Sequence, residues 1–168
     1  TVLSNGLGDS LGWAVRHTDD IRRGVAASAG EEVGAAAPGE GIYDDAHRDA
    51  VYDELIRQAR ILLSGGESVV LDASWTGAHH RRLGTDLAEE TYAELVEIEC
   101  RLDPSVAKER IARRREEATT NSDATAETVD HLGALRDPWV SATGVDTGGT
   151  KATVLGQACG VVLSDERP

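Results

Sequence analysis

The sequence predicts an α/β fold, a doubly wound and mainly parallel sheet with helices on both faces, and three observations carry that reading. Two short apolar runs lead into carboxylates: Trp13-Ala14-Val15 runs on to Asp19, and Val69-Val70-Leu71 ends at Asp72. Between them lies a long segment with helical spacing, Val51, Leu55, Ala59 and Leu62, bounded by Asp44-Asp45 and Gly65-Gly66. Further on the alternation repeats, with a strand-like run at Leu95 to Arg101 and a helical one after Asp103-Pro104. Strands alternating with helices of this length form right-handed βαβ units, and such units build parallel sheets. Ligands bind open parallel sheets outside the carboxyl ends of the strands, so acidic residues at those ends are where chemistry is sought first.

Composition narrows the classes. A chain of 168 residues that is 40% hydrophobic suits one domain with one core. No window is long and apolar enough to cross a membrane. The net charge of -13 argues against a general nucleic-acid binder, although the Arg113 to Arg115 cluster can serve a single phosphate group. Cys100 and Cys159 form no C-x-x-C pair and no signal peptide accompanies them, which reads as a reduced, cytoplasmic protein without structural zinc. Abundant Ala and Gly with no Met or Phe suggest a high-GC bacterial coding sequence. Residue 1 is Thr, so the chain is not expected to begin at a translation start.

Taken in order, Val2, Leu3, Leu7 and Leu11 recur at helical spacing, with Gly12 as the C-cap. The Trp13 strand follows. Thr18 or Asp19 then caps a helix that places Asp19 and Arg22 one turn apart, where their side chains converge on one ligand. The competing reading of Asp19 is capping alone. Residues 24 to 43 carry little periodicity and read as a short helix and a mobile loop. The long crossover helix starts at Asp44, carries a solvated His47, and delivers the Val69 strand parallel to the Trp13 strand. Val69 to Leu71 reads as buried on both faces and presents Asp72 at its carboxyl end; the competing reading is that Asp72 only caps the next helix.

That next helix opens at His79-His80-Arg81-Arg82 and runs to about Thr91. Adjacent histidines point to different sides of a helix, so this pair is expected to make a poor metal site. The alternation in Leu95 to Arg101 suggests a strand near a sheet edge. Asp103 caps, and Pro104 starts, a helix dense in cations, in which Arg110 and Arg114 share one face and can clamp a polyphosphate. The bland alternative is a solvated helix pairing with its own glutamates. A short helix from Ala126 to Leu135, a strand and turn over Gly144 to Gly149, a closing helix from Thr150 to Val162 and a frayed tail complete the chain.

These motifs together, Asp19-x-x-Arg22, G-G-E-S-V-V-L-D-A-S, E-C-R-L-D-P, the Arg110 and Arg114 pair and V-D-T-G-G, resemble the P-loop kinases of the AAA-type ATP-binding family. That group includes the polynucleotide kinase domain, zeta toxins and gluconate-kinase-like enzymes. The resemblance covers most of the chain, as a single domain over residues 1–168 that lacks its first strand and the loop G-x-x-x-x-G-K-[S/T]. Thr1 falls where such kinases carry the Ser or Thr that follows the loop lysine. The resemblance implies ATP and Mg2+ as cofactors and a hydroxyl on a small molecule as acceptor, with a nucleic-acid end the less favoured partner. It implies Thr1 and Asp72 at the metal, Asp19 as general base, Arg22 steering the acceptor or the moving phosphoryl group, and Arg110 and Arg114 on a lid over residues 104–125. It sets Asp146, Thr147 and Gly148 near the adenine. Trp75 or Tyr43 is a candidate to line an acceptor pocket, the competing reading being ordinary packing.

Without loop amides and lysine the chain as written is expected to bind ATP poorly. Either residues before Thr1 are not included, or the fold survives in a truncated product without the chemistry. Two rivals stand beside the kinase. One is a noncatalytic nucleotide-binding or interaction module. The second comes from Asp146-Thr147-Gly148-Gly149-Thr150-Lys151, which resembles the phosphate hairpin of actin-like sugar kinases.

Overall fold

The computed structural model describes residues 2–29, 45–116 and 126–164. The first helix, α1 (Val2–Leu11), stops at Gly12, whose φ of +70° is the left-handed conformation that ends a helix and that glycine adopts without a Cβ penalty. Strand β1 (Ala14–His17) passes directly into α2 (Thr18–Ala29). This helix takes in residues 24 to 29, part of the stretch read as aperiodic, because Val25 finds apolar neighbours in the core around Ile21, Val51, Tyr52 and Leu55. The loop expected up to Tyr43 lies outside the described residues. Helix α3 (Asp45–Ser64) then crosses over to β2 (Val69–Asp72), and Gly66 at φ +81° makes the turn between them.

β1 and β2 pair in parallel, Ala14 opposite Val69 and His17 opposite Asp72. On β2 the side chains alternate as a pleated strand requires. Val69 and Leu71 pack against Ile56, Ala59 and Leu87, while Val70 packs on the other face against a cluster of Leu7, Ala158 and Val162. Helices thus cover both faces, with α3 and α4 (Ala78–Thr91) on one side and α1 and α7 (Lys151–Leu163) on the other. The β2 residues themselves are half-buried rather than fully enclosed.

The second half repeats the pattern. Strand β3 (Ile98–Arg101) pairs in parallel with β4 (Thr143–Asp146), Ile98 opposite Thr143 and Arg101 opposite Asp146. Between them come α5 (Pro104–Glu116) and α6 (Ala126–Ala134), joined where Lys108 Nζ meets Asp130 Oδ1 at 2.7 Å. β3 is shorter than the run from Leu95 suggested, because its ladder starts only where Thr143 donates to the Glu97 carbonyl at 2.9 Å. Asp103 Oδ1 accepts from Ser105 N at 2.9 Å, holding one of the amides that the start of α5 leaves open.

Among the described residues the sheet stands as two parallel pairs, β1 with β2 and β3 with β4, rather than as one continuous ladder. Side chains join the halves. α1 packs on α7, with Val70 of β2 and Ile98 of β3 against the same cluster. Gly8 makes the close approach of α1 possible, since a Cβ there would collide with Val15 Cγ2 and stand 3.0 Å from the Trp13 carbonyl. A second tie is Arg81, 7% exposed, whose guanidinium donates to the carbonyls of Trp75 (3.0 Å) and Pro138 (2.9 Å), with Asp137 O at 3.3 Å. Trp139 lies under it at 5.0 Å. No helix among the described residues is long and apolar enough to cross a membrane. Cys100 and Cys159 are both free thiols.

Candidate functional site

The parallel register sets His17 and Asp72 side by side at the carboxyl ends of β1 and β2. His17 Nδ1 donates to Asp72 Oδ2 at 2.7 Å, and the other ring nitrogen lies 2.8 Å from the Asn5 side-chain oxygen on α1. The imidazole is held at both nitrogens and aims the carboxylate. Thr18 Oγ1, nearly buried, donates to the Asp72 main-chain carbonyl at 3.3 Å, tying the start of α2 to the end of β2. Burial pushes the Asp72 carboxyl up, and the His17 hydrogen bond opposes it by favouring the carboxylate.

Asp72 does not cap the following helix. α4 starts six residues later, its N-cap Gly77 makes no side-chain cap, and Ala78 N instead donates to Asp137 Oδ2 at 2.8 Å. The intervening loop bends at Trp75, whose φ of +48° is left-handed. Trp75 N donates to the Tyr52 hydroxyl at 2.9 Å, and its ring packs on Tyr52 with centroids 5.1 Å apart. Trp75 is thus engaged in the core beside Ile21, Val51 and Leu55. Tyr43 lies outside the described residues.

Asp19 and Arg22 converge as their spacing predicts, but on each other, with Arg22 Nη1 2.8 Å from Asp19 Oδ1. Asp19 is 52% exposed at the side chain and stands two residues beyond His17, at the same strand-end rim. Beside them an open groove of about 940 Å³ runs between β1, α2 and α3, lined by Arg16, His17, Asp20, Asp53 and Arg57 among others. Its walls combine apolar side chains of Val15, Ile21 and Val25 with these charged groups, a mixture that suits a small molecule bearing polar groups.

The second group forms at the other pair of strands. Arg110 donates through Nη1 to the Thr147 carbonyl (2.8 Å) and through Nη2 to the Gly148 carbonyl (3.1 Å), clasping α5 to the turn after β4. Asp146 Oδ1 accepts from Gly148 N at 2.8 Å, and Thr147 Oγ1 donates to the Arg101 carbonyl at 3.1 Å. The guanidinium expected to clamp phosphate thus grips the very turn expected near the adenine. Arg114 lies one turn further along α5, with its side chain outside the described residues, as is Thr1. A hollow of about 560 Å³ adjoins this turn, lined by Gly144, Asp146, Gln157 and Gly160 among others. The Asp146 to Lys151 stretch leads from a strand into a helix capped by Thr150, which accepts from Thr153 N at 3.2 Å, and so is not a phosphate hairpin.

The donor set at Asp72 fits a hard dication, which is commonly held by one or two carboxylates with the remaining positions filled by phosphate oxygens and water. His17 and Asn5 escaped the sequence reading. Their only signal is positional: His17 precedes Asp19 by two residues at the end of a strand, and which residue it opposes depends on a register that no local pattern encodes.

Known proteins share this fold. The family described as AAA domain matches residues 1–138. An uncharacterised protein of Mycobacterium tuberculosis is 36% identical over 161 residues, covering 94% of this chain and 31% of that protein. The chain thus spans about a third of the length of the curated relatives it matches. Among solved structures, a gluconokinase from Sinorhizobium meliloti is similar with a TM-score of 0.64 at 16% identity, over 95% of this chain and 83% of that one. The Mycobacterium tuberculosis APS kinase, in complex with AMPPNP and APS, has a TM-score of 0.59 at 16% identity, over 96% and 89% respectively. At such identities the likeness is one of fold.

Proposed function

The chain belongs to the AAA domain family and has the fold of the P-loop kinases, and from that premise we propose that it is an ATP- and Mg2+-dependent phosphotransferase acting on a hydroxyl of a small molecule. The observation that carries the reading is the Asp72 carboxylate, aimed by His17, at the end of a parallel strand pair. The groove beside β1, with its charged and apolar lining, and the small-molecule kinases among the structural neighbours support a small acceptor over a nucleic-acid end.

In this mechanism Asp72, with Thr1, would hold Mg2+ or its water. Bound Mg2+ would supply charge neutralisation at the β- and γ-phosphate oxygens. Asp19, projecting from the first turn of α2, takes the proton of the acceptor hydroxyl, and Arg22 positions that acceptor. Arg110 keeps the Asp146 to Gly148 turn in place on the base side, while Arg114 offers its charge to the phosphates from the same helix, residues 104–125 acting as a lid. The roles of Thr1 and Arg114 rest on the family resemblance alone, and those of the other residues on the resemblance together with the geometry above. A cytoplasmic location agrees with two free thiols.

The test is transfer from γ-labelled ATP, with Mg2+, to a panel of sugars, polyols and nucleosides, using the intact protein. Asp72→Asn is expected to keep its far-UV spectrum and to lose on the order of 10²-fold or more in turnover, the scale typical of a lost electrostatic contact at a transition state. Unchanged turnover in both Asp72→Asn and Asp19→Ala would remove the assigned roles. ATP binding with no transfer to any acceptor would favour the noncatalytic nucleotide-binding module instead.

A further inference from the structure

Outside that site, three ligating side chains meet where α3 and α4 begin. Asp49 lies in the second turn of α3, and His79 and His80 lie in the first turn of α4. Against the expectation for adjacent histidines, both rings turn toward one carboxylate: His80 Nε2 is 2.9 Å and His79 Nε2 is 3.6 Å from Asp49 Oδ1. All three ligand atoms lie within 4.8 Å of one another. We propose that Asp49, His79 and His80 bind a divalent transition-metal ion of the zinc class, which ties the start of α3 to the start of α4.

The distances suit such an ion. Zinc bonds of about 2.0–2.1 Å in tetrahedral geometry hold neighbouring ligand atoms about 3.3 Å apart, and the two Asp49 separations fall on either side of that figure. Little movement is needed. A plain hydrogen-bonded pair accounts for His80 but leaves His79 unexplained, because 3.6 Å is too long for a hydrogen bond. His79 is nevertheless held against the second imidazole, with ring centroids 3.7 Å apart. The arrangement depends on Gly77, where an added Cβ would stand 3.0 Å from His79 Nδ1 and 3.4 Å from His80 Nδ1. Both Nδ1 atoms therefore face the glycine, and both Nε2 atoms are turned toward Asp49.

The inner ligand is built in. His80 is 2% exposed and lies flat against Tyr52, with centroids 3.8 Å apart and planes 13° from parallel. Its Nδ1 is buried without a hydrogen-bond partner, so the ring's only polar satisfaction is at the nitrogen aimed into the cluster. Asp49 and His79 are exposed at 61% and 69% of their side chains, which leaves the outer side open for water as a fourth ligand. The Arg48 charge also reaches His80 and works against a cation. Two imidazoles and one carboxylate select a borderline-soft ion over the hard, all-oxygen preference of Mg2+.

The experiment strips the intact protein with a chelator and titrates Zn2+ against a chromophoric competitor, while thermal unfolding is followed in parallel. One equivalent is expected to bind and to raise Tm. His79→Ala and Asp49→Asn, both at exposed positions, should fold normally, lose that equivalent and show no zinc-dependent rise in Tm. A millimolar excess of Mg2+ should not displace the metal. Absence of stoichiometric uptake, uptake retained in both variants, or displacement by Mg2+ would each overturn the proposal.

Discussion

Tyr52→Phe isolates the polar contact that shapes the loop following Asp72. The residue is 2% exposed, so its hydroxyl cannot be replaced freely by bulk water. That hydroxyl accepts from Trp75 N at 2.9 Å and lies 3.3 Å from Ser74 Oγ, and burial raises its ionisation well above the working range, so it stays a neutral donor and acceptor. Removing it leaves the Trp75 amide without its acceptor, and an orphaned donor costs about 1–3 kcal/mol. Trp75 also sits at φ +48°, a conformation that costs a non-glycine residue about 1–2 kcal/mol and that this bond helps to impose. Relaxation of the loop returns part of that strain, so the expected net loss is about 1–2 kcal/mol. With an m-value of about 2 kcal/mol/M in urea, the midpoint should fall by about 0.5–1 M, read by far-UV circular dichroism. Phe keeps the ring that stacks on His80, so zinc uptake should be unchanged. A midpoint within about 0.1 M of the parent would mean that the hydroxyl does not hold the loop, and the reasoning would fail.

Gly8→Ala should destabilise by about 1–3 kcal/mol although Ala is the better helix former by about 1 kcal/mol, because the new methyl group meets Val15 Cγ2; a gain in Tm would contradict the packing of α1 on β1. Arg110→Ala should cost about 1–2 kcal/mol and speed hydrogen exchange around Gly148, and Arg110→Lys should not restore protection, because one ammonium cannot reproduce a fork across two carbonyls. Glu54 is held at about 2 by the Arg57 guanidinium, with help from Gln58, below its usual 4.5. Its contribution is therefore complete above pH 4.5 and lost as pH falls toward 2. Glu54→Gln should flatten the acid limb of the stability profile in that window, by no more than about 0.5 kcal/mol because the pair is solvent-exposed.

How much of this was legible depends on how local the cause is. Helix boundaries followed local chemistry: Gly12 after α1, Gly65-Gly66 after α3 and Asp103-Pro104 before α5 were all readable, because caps and turns act within a few residues. The stripe of Val51, Leu55 and Ala59 marked real core positions, at 1%, 0% and 0% exposure, but its full width, including Tyr52 and Ile56, appears only once α2 and α4 are packed on either side. At the candidate site, Asp72 was visible from V-V-L-D. Its partner His17 was not, because strand register joins residues far apart in the chain. Arg81 was read only as part of a basic helix start, yet it is buried against main-chain carbonyls, partners that leave no mark in a sequence. Similarly, the spacing of Arg110 and Arg114 marks a shared face but not what lies opposite it.

No backbone ladder joins β2 to β3 among the described residues, yet Asp72 ends the first strand pair and Asp146 ends the second. Between those pairs the described residues meet through side chains, the apolar faces of α1 and α7 and the Arg81 guanidinium. Where each carboxylate stands therefore depends on packing that reaches across the whole molecule.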